Sequence, residues 1–314
     1  MGNPDKIYQY GADPTINLGD TTFDPLPLPQ SGKNALDVTV LRLDKIHPEI
    51  SGNKWFKLKY YLEAGKLRKN DRLISFGGPY SNHLVALACA ARAQGFSSTG
   101  FVRGEKPAIF SASLFTAMKY GMDLEFLPRS VYSLKEDRVF LAELQSRYPR
   151  ALIIPEGGCG EPGIRGAGEI LTPDVHDYSH ICCAVGTGTT ITGLLKAGKP
   201  HQKMIGIPVL KGTQGIEPLR AEWITDKEKE NRLVLFHEYH FGGYAKKTPA
   251  LLDFMNNLYE RSGIPTDFVY TGKLFYAITD LAFKNYFPKG SSVLILHSGG
   301  LQGNLSLAGD ALHF

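Results

Sequence analysis

The sequence predicts an α/β protein of two domains built on parallel sheets. Three observations carry this. Runs rich in Val, Ile, Leu and Phe alternate with Ala-rich or amphipathic stretches from residue 37 onward, and strands separated by helical runs of about 10–15 residues mean βαβ units. The strand-like runs end in glycines and hydroxyls, where open α/β sheets bind their ligands. The 314 residues suffice for two domains at ~150 residues each, and no fixed-period repeat points to a solenoid.

After a Pro-rich lead-in, "DVTVLRLD" (37–44) has the β-branched alternation of a strand. "SGNKWFKLKYYLEAGK" (51–66) then reads as a helix with Trp55, Leu58 and Leu62 on one side, Tyr61 beside them, and Lys57 and Lys59 reaching solvent. "DRLISFGG" is a strand, and "SNHLVALACAARAQG" a helix with Ser81 or Asn82 as N-cap and Gly95 past its end. Strand "SSTGFVRG", helix "IFSASLFTAMKYG", strand "MDLEFLP", helix "SLKEDRVFLAELQSRYP" and strand "RALIIPEGG" complete the first half. In the second, "HICCAVGTGTTITGLLKAG" is strand, loop and helix, with Thr189 or Thr190 as the expected cap. "KMIGIPVL" and "RLVLFHEYH" read as strands around a helix near 215–223. "KTPALLDFMNNLYERSG" is an amphipathic helix, "DFVYTGKLFYAITDLAFKNYF" a strand end running into a helix, and "SSVLILHSGG" the last strand.

Composition excludes several classes. A 43% hydrophobic content supports a large core and argues against disorder. The net charge of +4 is small and dispersed, so nucleic acid is not an expected partner. No run of apolar residues is long enough to span a membrane, and the N-terminus lacks the apolar stretch of a signal peptide. Cys89, Cys159, Cys182 and Cys183 form no CxxC and read as small buried groups of a reducing, cytoplasmic chain. "HEYH" has one residue too few for HExxH, so no metal is expected.

The residues that follow the strands carry the chemistry. "VGTGTT" supplies close backbone approach, hydroxyls and a helix start, a cradle for phosphate. It is neither a Walker A loop nor GxGxxG, which argues against a dehydrogenase. "GGPYSNH" can offer Ser81 and free N–H groups to a carboxylate. Lys54 has no packing role, and its helix-start position is unfavourable for a cation.

Taken together, "SGNKWFKLKY", "GGPYSNH", "PEGG", "VGTGTTITGL", "FGGY", "DFVYTGK" and "LHSGG" resemble the pyridoxal 5'-phosphate enzymes of the tryptophan synthase β-like fold type II. Within it the chain looks like the branch of 1-aminocyclopropane-1-carboxylate deaminase and D-cysteine desulfhydrase. The resemblance implies a two-domain, three-layer architecture, with a small domain (53–161) inserted in a large one (1–52 and 162–314), and a homodimer. It implies that Lys54 carries the cofactor as a Schiff base and later moves the Cα proton. Thr187, Gly188, Thr189 and Thr190 would hold the phosphate, Asn82 the 3′ oxygen, and Ser81 with its neighbours Asn82 and His83 the substrate carboxylate. Tyr270 would lie against the ring, Tyr244 would line the site, and Ser298 would face the ring nitrogen.

A hydroxyl at that nitrogen makes a weaker electron sink than a carboxylate would, which suits β-elimination more than transamination. Ring-opening deaminases carry Glu directly after the Tyr of "VY"; Thr271 stands there, as in the desulfhydrases. The expected reaction is α,β-elimination on a small amino acid, giving pyruvate, ammonia and, from D-cysteine, sulfide. Ring opening of the cyclopropane amino acid to 2-oxobutanoate is the alternative. Ser51, Phe56, Tyr80 and Ser298 depart from the usual family residues, and Tyr80 is expected to reshape the substrate side of the pocket.

Overall fold

The computed structural model describes residues 17–28, 36–212 and 222–314. The N-terminal lead-in and the helix expected near 215–223 fall largely outside them. Among the described residues the strands form two sheets. The larger has the order β1-β2-β10-β7-β8-β9, with β1 (Phe23–Pro25), β2 (Asp37–Arg42), β7 (His180–Val185), β8 (Lys203–Pro208), β9 (Leu233–Leu235) and β10 (Ser292–His297). The smaller is β5-β4-β3-β6, from β3 (Arg72–Gly77), β4 (Ser97–Arg103), β5 (Met122–Leu127) and β6 (Ala151–Ile153). Every pairing is parallel except β1 against β2.

The helices are α1 (Asn53–Leu67), α2 (Asn82–Ala93), α3 (Ala112–Lys119), α4 (Arg129–Tyr132), α5 (Arg138–Arg147), α6 (Glu161–Gly168), α7 (Thr189–Ala197), α8 (Lys227–Glu230), α9 (Pro249–Ser262) and α10 (Thr271–Phe283). The central strands are apolar on both faces, as parallel strands covered by helices must be. Ser81 caps α2, accepting from the Leu84 N–H, and Gly95 follows with φ +78°. No described helix is long and apolar enough to cross a membrane.

Four local readings are corrected. Residues 267–270 are not a strand end: the Asp267 carboxylate accepts from the Val269, Tyr270 and Thr271 N–H groups and winds the segment into a turn. The run 232–240 is strand only to Leu235, and "HEYH" is a 3₁₀ turn. Neither Thr189 nor Thr190 caps α7; Gly188 does, in the left-handed region with φ 82°. Lys57 does not reach solvent and is only 4% exposed.

Helix α6 escaped the sequence reading because "EPGIRGAG" looks like a loop. Its glycines serve close packing instead. A Cβ at Gly166 would lie 1.8 Å from the Phe56 carbonyl oxygen, so α1 and α6 touch backbone to backbone.

Candidate active site

The carboxyl ends of strands from both sheets open on one cavity of about 240 Å³. Gly78 follows β3, Arg103 ends β4, Glu156 and Gly157 follow β6, Gly186 to Gly188 follow β7, and Ser298 to Gly300 follow β10. Lys54, Lys57, Ser81, Asn82, His83, Tyr244 and Tyr270 complete most of the wall.

Lys54 is placed by its neighbours. Gly52, the N-cap of α1, has φ 66°, and a Cβ there would stand 1.9 Å from the Ser298 carbonyl oxygen. That contact seats the start of α1 directly against the turn after β10. Lys54 Nζ donates to Asn53 Oδ1 at 2.9 Å and lies 5.8 Å from the centre of the Tyr270 ring. The Asn53 amide in turn donates to Thr190 Oγ1 at 2.8 Å, tying the lysine to the first turn of α7. Burial pushes the Lys54 amine down to about 8, against the opposing pull of the Asp267 carboxylate. Burial, rather than the helix start that drew attention in the sequence, is the first cause.

One turn on, Lys57 lines the same cavity. Burial first, and then the Lys54 charge, hold its amine well below the ordinary value. The sequence reading missed this residue as part of the site. Its signal was the spacing: residues three apart share a helix face, so a lysine at 57 accompanies one at 54.

At the start of α7 the first amides have no intrahelical partner and no side-chain cap. Thr187 and Thr190 line the cavity with Gly188. Thr189 is fully buried behind them, its hydroxyl 3.0 Å from that of Thr187. Such a helix start, with its first N–H groups free, is suited to holding a phosphate.

The opposite wall carries three consecutive polar residues. Ser81 turns the chain into α2. Asn82 is buried, its amide nitrogen 3.5 Å from the Gly300 carbonyl and its Oδ1 without a protein partner. His83 sits deeper, with Nε2 at 2.9 Å from Ser75 Oγ, while Ser75 Oγ donates to the Ile154 carbonyl at 2.8 Å. Ser75 therefore accepts from Nε2–H, and Nδ1 keeps a lone pair that no protein group meets. Burial and the charges of Lys57 and Lys54 hold His83 neutral.

Tyr270 and Tyr244 meet edge to face at 6.1 Å. Burial, then the charges of Tyr244 and Asp267, raise the Tyr270 phenol well above its ordinary range. Thr271 is fully buried and donates to Asp267 Oδ1 at 2.7 Å, away from the cavity wall. Ser298 is on the wall. The other departures are not: Ser51 is buried against Gly299, Phe56 packs in the core with Leu41 and Ile46, and Tyr80 is 45% exposed. The expectation that Tyr80 reshapes the pocket is therefore withdrawn, because its side chain turns to solvent.

The donor set fits pyridoxal phosphate. Unpartnered α7 amides and the buried Lys57 suit a phosphate dianion, the orphaned Asn82 Oδ1 suits a ring hydroxyl, and Lys54 is an amine of lowered basicity. Comparison with known proteins agrees. A family model described as pyridoxal-phosphate dependent enzyme matches residues 18–299. A putative 1-aminocyclopropane-1-carboxylate deaminase of Pyrococcus abyssi (strain GE5 / Orsay) is 31% identical, the match covering 85% of this chain and 86% of that protein. The mitochondrial bifunctional D-cysteine desulfhydrase/1-aminocyclopropane-1-carboxylate deaminase of Arabidopsis thaliana is 26% identical over 86% of this chain and 74% of its own. A solved structure described as the ACC deaminase homologue superposes with a TM-score of 0.74 at 27% identity, covering 93% of this chain and 92% of that one. The lysine-bearing cavity between two parallel sheets thus belongs to a pyridoxal-phosphate-dependent enzyme, of the tryptophan synthase β-like fold type II and of the family that unites the 1-aminocyclopropane-1-carboxylate deaminases with the D-cysteine desulfhydrases.

Proposed function

We propose that the enzyme catalyses α,β-elimination on a small amino acid carrying a β leaving group, in the manner of a D-cysteine desulfhydrase. The observation that supports it is the cavity wall around Tyr270: the residue after it, Thr271, is turned into the Asp267 cap. Glu156 is the one carboxylate on the cavity wall among the described residues, and it follows β6 rather than Tyr270. Ring opening would draw on an acid at the position directly after that tyrosine, and Thr271, which stands there, does not line the cavity.

Lys54, Lys57, Asn82, Thr187, Gly188, Thr190 and Ser298 would hold the cofactor. When bound, pyridoxal phosphate supplies an aldehyde and a ring that stabilises negative charge at the substrate Cα. Lys54 Nζ, with its basicity lowered by burial, is the group that takes the Cα proton. The Ser81 turn and its free amides orient the substrate carboxylate, and the neutral His83 leaves that wall without a competing charge. Tyr270 and Tyr244 line the cavity as an edge-to-face pair. As the Cα proton moves to Lys54, the β substituent departs with its bonding electron pair and takes up a proton. Water then releases ammonia and pyruvate, so that cysteine plus water gives pyruvate, ammonia and hydrogen sulfide.

The relatives named for the cyclopropane amino acid favour ring opening as the second reading. Incubation with each enantiomer of cysteine and with 1-aminocyclopropane-1-carboxylate separates the two. The proposal expects pyruvate and sulfide from cysteine. 2-Oxobutanoate from the cyclopropane substrate, with no pyruvate from cysteine, would overturn it.

A further inference from the structure

One cationic side chain of the cavity has no part in the site described above. Arg103 is the last residue of β4, where the smaller sheet meets the cavity. Its side chain reaches the turn after β3: a Cβ on Gly78 would be 3.6 Å from Arg103 Nη2. The guanidinium lies 5.9 Å from the centre of the buried Tyr132 ring, which limits its movement on that side. Among the described residues it has no carboxylate within 4 Å and no hydrogen-bond partner. Glu156, the acid of the same wall, is matched instead by Lys135, at 3.6 Å. Arg103 is therefore an exposed, unpaired fork of donors on the cavity wall, a group that can take a carboxylate in bidentate fashion.

In the elimination reading the carboxylate of the substrate's α-carbon is held by the Ser81 turn. We infer that Arg103 binds a second carboxylate, so that the substrate is an amino acid whose β substituent ends in a carboxylate. The inference rests on the elimination reading above and narrows its substrate. The bond chemistry is unchanged: the Cα proton goes to Lys54, and the Cβ bond breaks with its electron pair on the departing group.

S-carboxymethylcysteine and S-carbamoylmethylcysteine test this, because they differ only by carboxylate against amide. Both enantiomers of each are supplied, with pyruvate as the product read and β-chloroalanine as a small neutral control. The wild-type enzyme is expected to favour the carboxylate compound in kcat/KM by about 10- to 100-fold, the range of a charge-assisted hydrogen bond. Arg103→Gln is expected to abolish that ratio through KM, and Arg103→Lys to keep part of it. Glu156→Gln, which removes a like charge from the wall, is expected to raise it.

An unchanged ratio in Arg103→Gln would overturn the inference. A KM that rises equally for both compounds would also do so, since Arg103 would then be holding the α-carboxylate. Pyruvate from β-chloroalanine alongside either result leaves the elimination reading intact. No pyruvate from any of the three compounds would overturn the elimination reading and this inference together.

Discussion

A lysine that attacks an aldehyde must do so as the free amine. Burial gives Lys54 that form near neutrality by bringing its pKa down to about 8. Capture of pyridoxal phosphate by apoprotein is therefore expected to accelerate about tenfold per unit from pH 6 to 8 and then level off. Stopped-flow growth of the visible band reads this directly. An acceleration that continues towards 10.5 would assign an ordinary exposed amine. For Lys57 the expected role is donation to the cofactor phosphate rather than attack. Lys57→Met should leave the band attainable at saturating cofactor but weaken cofactor retention about 10- to 100-fold, measured by dialysis against free cofactor. Lys54 could be singled out in the sequence because no packing role explained it. For Lys57 the three-residue spacing from Lys54 is the only signal, and a helix with one buried face would leave it in solvent. Helix α1 instead buries Asn53, Phe56, Lys57, Leu58, Tyr61, Leu62 and Gly65, which spread over more than one side.

At the scale of elements, the site depends on three starts of helices being fixed by different means. Ser81 caps α2 with its own hydroxyl, and that cap was legible because a hydroxyl before an apolar run is a local signal. The start of α1 is fixed by contact across the molecule, Gly52 against Ser298. Gly52→Ala combines φ 66° with a Cβ at 1.9 Å from a carbonyl oxygen. It is expected to cost ~2–4 kcal/mol of stability, seen in denaturant unfolding, and to loosen Lys54. The turn before α10 is fixed by Asp267, whose two oxygens accept four hydrogen bonds within residues 269–271. Asp267→Ala should cost ~2–4 kcal/mol by orphaning those donors, while the same change at the exposed Asp123 should cost under ~1 kcal/mol. The sequence could not announce this cap, because "DFVY" has the composition of a strand and only the fold turns Asp267 back on its own chain.

Across the whole molecule, the alternation of strands and helices was readable because parallel strands are apolar on both faces and their helices are punctuated by glycine. The division into two sheets was not contained in that pattern; it follows from β10 pairing with β2 across most of the chain. That long-range pairing brings "SGNK" and "HSGG" together and makes one cavity from two sheets. This cavity is expected to hold pyridoxal phosphate covalently on Lys54. Borohydride reduction of the coloured protein, followed by peptide mapping, tests it most directly. The expected result is a phosphopyridoxyl group on the peptide bearing Lys54, with no visible band in Lys54→Ala. A label on Lys57, Lys273 or a surface lysine, or a protein that stays colourless with added cofactor, would contradict it.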